Sequence, residues 1–137
     1  NMKAMVDANM IRVANLLSVF KFELGASVDY NPGIVAVAEN VSIFTGMKNG
    51  HDYLENSKKI IEQSQLDYKN ILIDETPVDI NGISFYKMKG LLSIAGLELQ
   101  QEFFVTIRHK FALAFIISYT KEADKNDLYK VLETIQL

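Results

Sequence analysis

The sequence predicts an α+β fold: a single antiparallel, meander-rich β-sheet flanked by helices. Three observations carry that expectation. The run "FALAFIISY", Phe111 to Tyr119, holds no charge and is rich in β-branched and aromatic residues, as a central strand covered on both faces would be. Asn81-Gly82 sits between the alternating runs "PVDI" and "ISFYKMKG", the signature of a two-residue hairpin turn. Two stretches, "HDYLENSKKIIEQSQL" and "DKNDLYKVLETIQL", repeat apolar residues at helical rather than strand spacing.

The elements follow in order. Val6, Met10, Val13, Leu17 and Phe20 recur at alternating spacings of four and three, with Asp7, Asn9 and Arg12 off that stripe; this predicts a helix over about 4–17. "VFKFEL" then alternates as a strand, and "GASVDYNPG" is a loop punctuated by Gly25, Asn31, Pro32 and Gly33. "IVAVAENVSIF" reads as a strand with a bulge at Glu39-Asn40. "TGMKNG" is a turn, and His51 or Asp52 starts the next helix. There Tyr53/Leu54, Ser57, Ile60/Ile61 and Ser64 form the inner face, and Glu55 with Lys59 forms an i,i+4 pair on the wet one.

"ILID" is a strand leading into the Asn81-Gly82 hairpin, and "GLLSIAG" is a connection to the strand "LELQQEFFVTIR". In the strand that follows, Phe111, Leu113, Phe115, Ile117 and Tyr119 line one side. Ala112, Ala114, Ile116 and Ser118 line the other, and the small alanines invite a helix to approach closely. The closing helix is capped by Asp124 or Asn126, with Leu128, Val131, Leu132 and Ile135 as its stripe. No repeat or linker divides the chain, so 1–137 is expected to be a single globular domain with an added N-terminal helix.

Composition narrows the function classes. The chain has 137 residues, 49% hydrophobic and 23% charged, which are globular proportions. Net charge is −3, and only Arg12 and Arg108 among the 14 basic residues are arginines, so the clustered basic footprint of a nucleic-acid binder is missing. The lack of cysteine excludes disulfides, thiolate metal sites and a Cys nucleophile. "FALAFIISY" falls well short of the ~20 apolar residues of a membrane-spanning helix. Asp7, Asn9 and Arg12 interrupt the first apolar stretch, which is therefore not a secretory h-region.

The succession "YLENSKKIIEQSQ", "ETPVDINGISFYKMKG", "LELQQEFFVTIRHKFALAFIISYT" and "LYKVLETIQL" resembles the PsbP-like α-β-α sandwich. Its relatives include photosystem assembly proteins, a Ran-binding nuclear factor, DcrB-like envelope lipoproteins and chaperones for type VI secretion effectors. Gly82, Gln100/Gln101 with Phe103/Phe104, and Phe111 to Tyr119 occupy the family's places, and the resemblance spans about residues 34–137. It implies a binding or scaffolding protein, and for location it leans toward a bacterial cell envelope.

Candidate chemistry reduces mostly to structure. Arg108-His109-Lys110, flanked by strands, is read as the polar tip of a hairpin. His51 opens a helix as a neutral cap, and two lone histidines, His51 and His109, lack the spacing of a metal site. Asp74, Glu75 and Asp79 bracket Pro77 in a solvated loop. "DKNDLYKVLE" lacks the central Gly of an EF-hand and places Leu128 where an oxygen ligand is needed. "GMKNG" lacks the length and the Lys-Ser/Thr of a phosphate loop, and no Ser stands in a G-x-S-x-G setting. Asn40-Val41-Ser42 fits a glycosylation sequon, but inside a strand.

Three features bear on binding instead. Leu91, Leu92 and Ile94 make the "GLLSIAGLEL" loop greasy; exposed, they would form a contact patch, and folded over a sheet edge they would be core. Met2, Met5 and Met10 pose the same question for the first helix. Gln101 shares a strand face with Leu97, Leu99, Phe103 and Val105, so a hydrogen-bond partner is required there, in a neighbouring loop or a ligand. The expectation is a non-enzymatic module that binds another protein, without cofactor, metal or nucleic acid. The alternative is a carrier of a small apolar ligand or lipid, held in a pocket near Gln101 and Phe104.

Overall fold

The computed structural model describes residues 13–137. Seven strands and two helices follow one another: β1 (Val13–Phe20), β2 (Gly33–Asn40), α1 (Gly50–Gln63), β3 (Asp67–Ile73), β4 (Val78–Ile80), β5 (Ile83–Ile94), β6 (Leu97–Arg108), β7 (Phe111–Tyr119) and α2 (Glu122–Leu132). All strand pairings are antiparallel, in the order β1-β2-β7-β6-β5-β3, with β4 also on β5. The α+β architecture with one antiparallel sheet is therefore as the sequence predicts.

Three two-residue turns set the meander. Asn81-Gly82, Ala95-Gly96 and His109-Lys110 each have positive φ at both positions, as a type I′ hairpin requires. β5, β6 and β7 thus fold back on one another. The chain after β2 crosses the sheet through α1 to the far edge, and β7 returns to close on β2 from Gly33↔Ser118 to Asn40↔Phe111.

Strand parity sorts the core into two layers. On one face Phe85, Phe104, Phe115, Ile117 and Tyr119 pack with Leu128 and Leu132 of α2. On the other, Met88, Val105, Ala112 and Ala114 pack with Leu54 of α1. The close approach of α1 is to β6: a Cβ built on Gly50, the first residue of α1, would lie 2.2 Å from the Val105 carbonyl oxygen. The sheet is thus covered by one helix on each face.

Several expected boundaries are corrected. Val13–Phe20 is strand, not the end of a helix; residues 4–12 of that expected helix lie outside the described residues. A register shift lies between Asn15 and Leu17, and β1 is apolar on both faces, with Val13 and Phe20 on one and Leu17 and Val19 on the other; the helical spacing of Val13, Leu17 and Phe20 therefore joins residues of opposite faces. No bulge falls at Glu39-Asn40, where β2 simply ends. "GLLSIAG" is not a loop, because β5 runs through it to Ile94.

Helix starts differ as well. Asn49, not His51 or Asp52, caps α1, its Oδ1 accepting from the Asp52 amide at 3.1 Å. Glu55 turns toward His51 at 4.0 Å rather than toward Lys59, while Lys58 meets Glu62 at 3.9 Å. α2 begins after Lys121 with no side-chain cap. Asp124 is buried in its first turn and holds the Lys21 ammonium at 2.7 Å; Asp127 holds it from the other side at 2.8 Å. That ion pair ties the end of β1 to α2.

Candidate interaction surface

β1 is the edge of the sheet, and no described strand pairs with its outer side. None of its residues is charged and all eight are exposed, including Val13, Leu16, Leu17, Val19 and Phe20. Natural edge strands are usually blunted by charge, proline or cover, because their free N–H and C=O groups template pairing with another chain. Among the described residues β1 has none of these devices on its own sequence. The bulge turns Leu16 out to 54% exposure.

Beside β1, on the α2 side of the sheet, α2 leaves part of the sheet open. A groove of about 390 Å³ there is floored by Leu16, Ala38, Phe111 and Leu113, ended by Leu137 and rimmed by Arg108 and His109. A second hollow of about 500 Å³ adjoins it, sharing Arg108 and Leu137 and adding Asn81, Ile83 and Gln136. Arg108-His109-Lys110, read from sequence as a hairpin tip, is one, and Arg108 and His109 stand at the groove's rim.

The larger cleft, about 670 Å³, lies at the other end of the sheet among Lys21, Phe22, Asp29, Tyr30, Leu97 and Lys121. Its central cation, Lys21, is already neutralised by Asp124 and Asp127, which raise its pKa.

The residues singled out from sequence are scattered. Leu92 is buried at 8% exposure, Leu91 is half-buried and Ile94 is 50% exposed at the turn, so the three form no common patch. Gln101 and Phe104 differ in strand parity and face opposite layers, so they do not share a pocket. Gln101 accepts from the Tyr68 hydroxyl and donates to Ser118 Oγ at 3.0 Å, so its amide is tied to β3 and β7. Burial raises the Tyr68 pKa, with a smaller contribution from nearby Tyr30.

His51 Nε2 is closed off from water, 3.2 Å from Glu75 Oε2 without hydrogen-bond geometry, and its ring meets Tyr86 edge-on at 5.6 Å. Asp79 accepts from the Gly82 amide at 3.0 Å and so braces the turn it precedes. Among the described residues no three His, Asp or Glu side chains converge as a metal site.

Sequence reasoning missed Glu102. It is 3% exposed on the α2 face, where Oε1 accepts from Lys87 Nζ at 2.6 Å and from the Tyr129 hydroxyl, and Oε2 accepts from Tyr119 at 2.9 Å. Burial alone would raise its pKa, but the hydrogen bonds from Lys87, Tyr129 and Tyr119 outweigh it and hold the carboxyl below its usual range. Both tyrosines are pushed well above the ordinary phenol range, first by burial and then by the Glu102 bond. The detectable signal was its place between Gln100 and Phe104 on the even, α2-facing side of β6.

No helix among the described residues is long and apolar enough to cross a membrane. No family model matches the chain, and no curated protein does. The chain is similar in structure to a protein of unknown function, PA94 from Pseudomonas aeruginosa, at a TM-score of 0.56 and 17% identity, over 88% of this chain and 83% of that one. At that identity the likeness is one of fold.

Proposed function

We propose that the chain is a non-enzymatic protein-binding module of PsbP-like α-β-α sandwich type, at a bacterial cell envelope, which engages its partner through β1 and the groove beside it. The observation that carries this reading is β1 itself: an uncharged edge strand, apolar on both faces, with its outer side unpaired by any described strand. Strand addition to such an edge draws affinity from main-chain hydrogen bonds and specificity from side-chain pockets next to it. The envelope location rests on the resemblance of residues 34–137.

Two features favour this reading over the alternatives. A carrier needs interior volume, yet between α2 and the sheet Ile80, Phe85, Phe115 and Leu132 leave no space for even one water molecule. A catalytic carboxylate needs a free lone pair facing substrate, whereas Glu102 is enclosed by Lys87, Tyr119 and Tyr129.

A photo-crosslinking residue at Leu17 tests the proposal in native cells. One recurrent protein adduct, lost when Leu16 is replaced by Asp, is the expected result. Adducts to lipid alone, or none, would remove the reading.

A further inference from the structure

The groove beside β1 carries a chemical preference. This protein has 17 acidic residues against 14 basic and a net charge of −3, yet no carboxylate side chain lines either hollow around Arg108. Arg108 and His109 line the groove, and Lys110 is exposed next to them. Arg108 is exposed and has no ion-pair partner among the described residues. Arg108 closes β6, and Lys110 stands in the two-residue turn that follows, whose backbone is held at φ 51° and 66°, so both are anchored to the sheet rather than to a long loop.

We infer that the groove floored by Leu16, Ala38, Phe111 and Leu113 seats an amphipathic protein segment whose apolar face is edged by an acidic residue, which pairs with Arg108. This inference rests on the protein-binding reading and names the partner's chemistry. The apolar floor supplies contact area, and the unpaired guanidinium at its margin selects the charge and the orientation of what lies on it.

Other occupants fit less well. Leu16, Phe111 and Leu137 keep 54%, 42% and 51% of their surface in water, so the groove is shallow, whereas small-ligand sites enclose most of their ligand. An anionic membrane surface is read by larger basic clusters than one Arg and one Lys.

The test uses the whole protein and two synthetic fluorescein-labelled peptides of about 18 residues, long enough to form a helix on a surface. Both carry Leu at helical spacing; one is edged with Glu and the other with Lys at the same positions. The Glu peptide is expected to bind by fluorescence anisotropy, with affinity that falls as salt rises and drops roughly tenfold in Arg108→Glu and in Leu16→Asp. Arg108 is exposed, so its variant keeps the parent's melting curve. Equal binding of both peptides, or no loss in Arg108→Glu, overturns the inference. Dimerisation abolished by Leu16→Asp, or a preference for vesicles of anionic lipid, overturns it too. If neither peptide binds while the Leu17 crosslink still captures a protein, the acidic partner is wrong and the binding reading stands; if both fail, both readings fall.

Discussion

The Lys87 ammonium lies 2.6 Å from Glu102 Oε1 beneath α2, and the hydroxyls of Tyr119 and Tyr129 donate to the same carboxylate. Tyr119 comes from β7, Lys87 from β5, Glu102 from β6 and Tyr129 from α2, so one buried carboxylate fastens the helix to three central strands. Lys87 also lies over the Phe104 and Tyr129 rings at 5.6 and 5.8 Å. Removing one partner of such a set leaves the others dehydrated and unpaired. Glu102→Ala is therefore expected to cost about 3 kcal/mol in urea unfolding. The double variant Glu102→Leu/Lys87→Met should recover a good part of it, because no charge is then left buried. A loss below about 1 kcal/mol for the single variant would mean that α2 is held by its leucines alone.

The same network makes stability depend on pH at both ends. Glu102's folded-state pKa is depressed, so its contribution is present above the unfolded carboxylate pKa of about 4.3 and is lost as pH falls through the folded value. Tyr119 and Tyr129 have raised pKa values, so theirs is present below the unfolded phenol pKa of about 10 and is lost as pH climbs above it. Thermal melts should show a plateau near neutrality with a fall on each side. In Glu102→Gln the acid-side fall becomes shallower, since the group that must take up a proton is gone; an unchanged acid limb would assign that limb to other carboxylates.

Two glycines with opposite surroundings make a sharper test of the packing. Gly50 opens α1 directly on the backbone of β6, and a methyl group there would meet the Val105 carbonyl oxygen at 2.2 Å and its carbon at 2.9 Å. Backbone in the middle of a sheet cannot step aside, so α1 must lift. Gly50→Ala is expected to lose about 3 kcal/mol. Gly90 lies within β5, where the nearest atom to an added methyl group is Tyr68 Cδ1 at 3.4 Å. Gly90→Ala should change stability by less than about 1 kcal/mol, since the better strand propensity of Ala offsets mild crowding. Equal denaturation midpoints for the two variants would contradict the seating of α1.

How much of this was legible in the sequence depends on whether periodicity survived intact. Phe111–Tyr119 alternates without interruption, so its central place and its alanine face could be read directly. The Asn81-Gly82 turn was equally plain, because only a few residues accept its backbone. Val13–Phe20 failed because β1 is apolar on both faces, so Val13, Leu17 and Phe20 fall at helical spacing although Leu17 faces the opposite side from the other two. The binding surface was misplaced with it, since Leu91 and Leu92 look like loop only when Gly90 is taken as a stop. Glu102 was hidden because its partners are distant in sequence; a buried charge is recognisable only once Lys87, Tyr119 and Tyr129 are brought together by the sheet register.

The tip of the β6–β7 hairpin yields the last prediction. His109 and Lys110 hold φ of 51° and 66°, a region where side chains bearing a Cβ are strained and where Asn and Gly rest more easily. Neither residue is a usual choice for a type I′ turn, whereas Asn81-Gly82 elsewhere in the same chain is the favoured pair. Replacing His109-Lys110 by Asn-Gly should therefore raise stability by about 1 kcal/mol, visible as a higher denaturation midpoint with unchanged slope. The variant should keep the groove's apolar floor and Arg108, and so retain most of its affinity for the acidic peptide. A gain in stability with affinity preserved places peptide recognition on Arg108 and the apolar floor. A gain with affinity lost would move the charge selection from Arg108 to the turn itself.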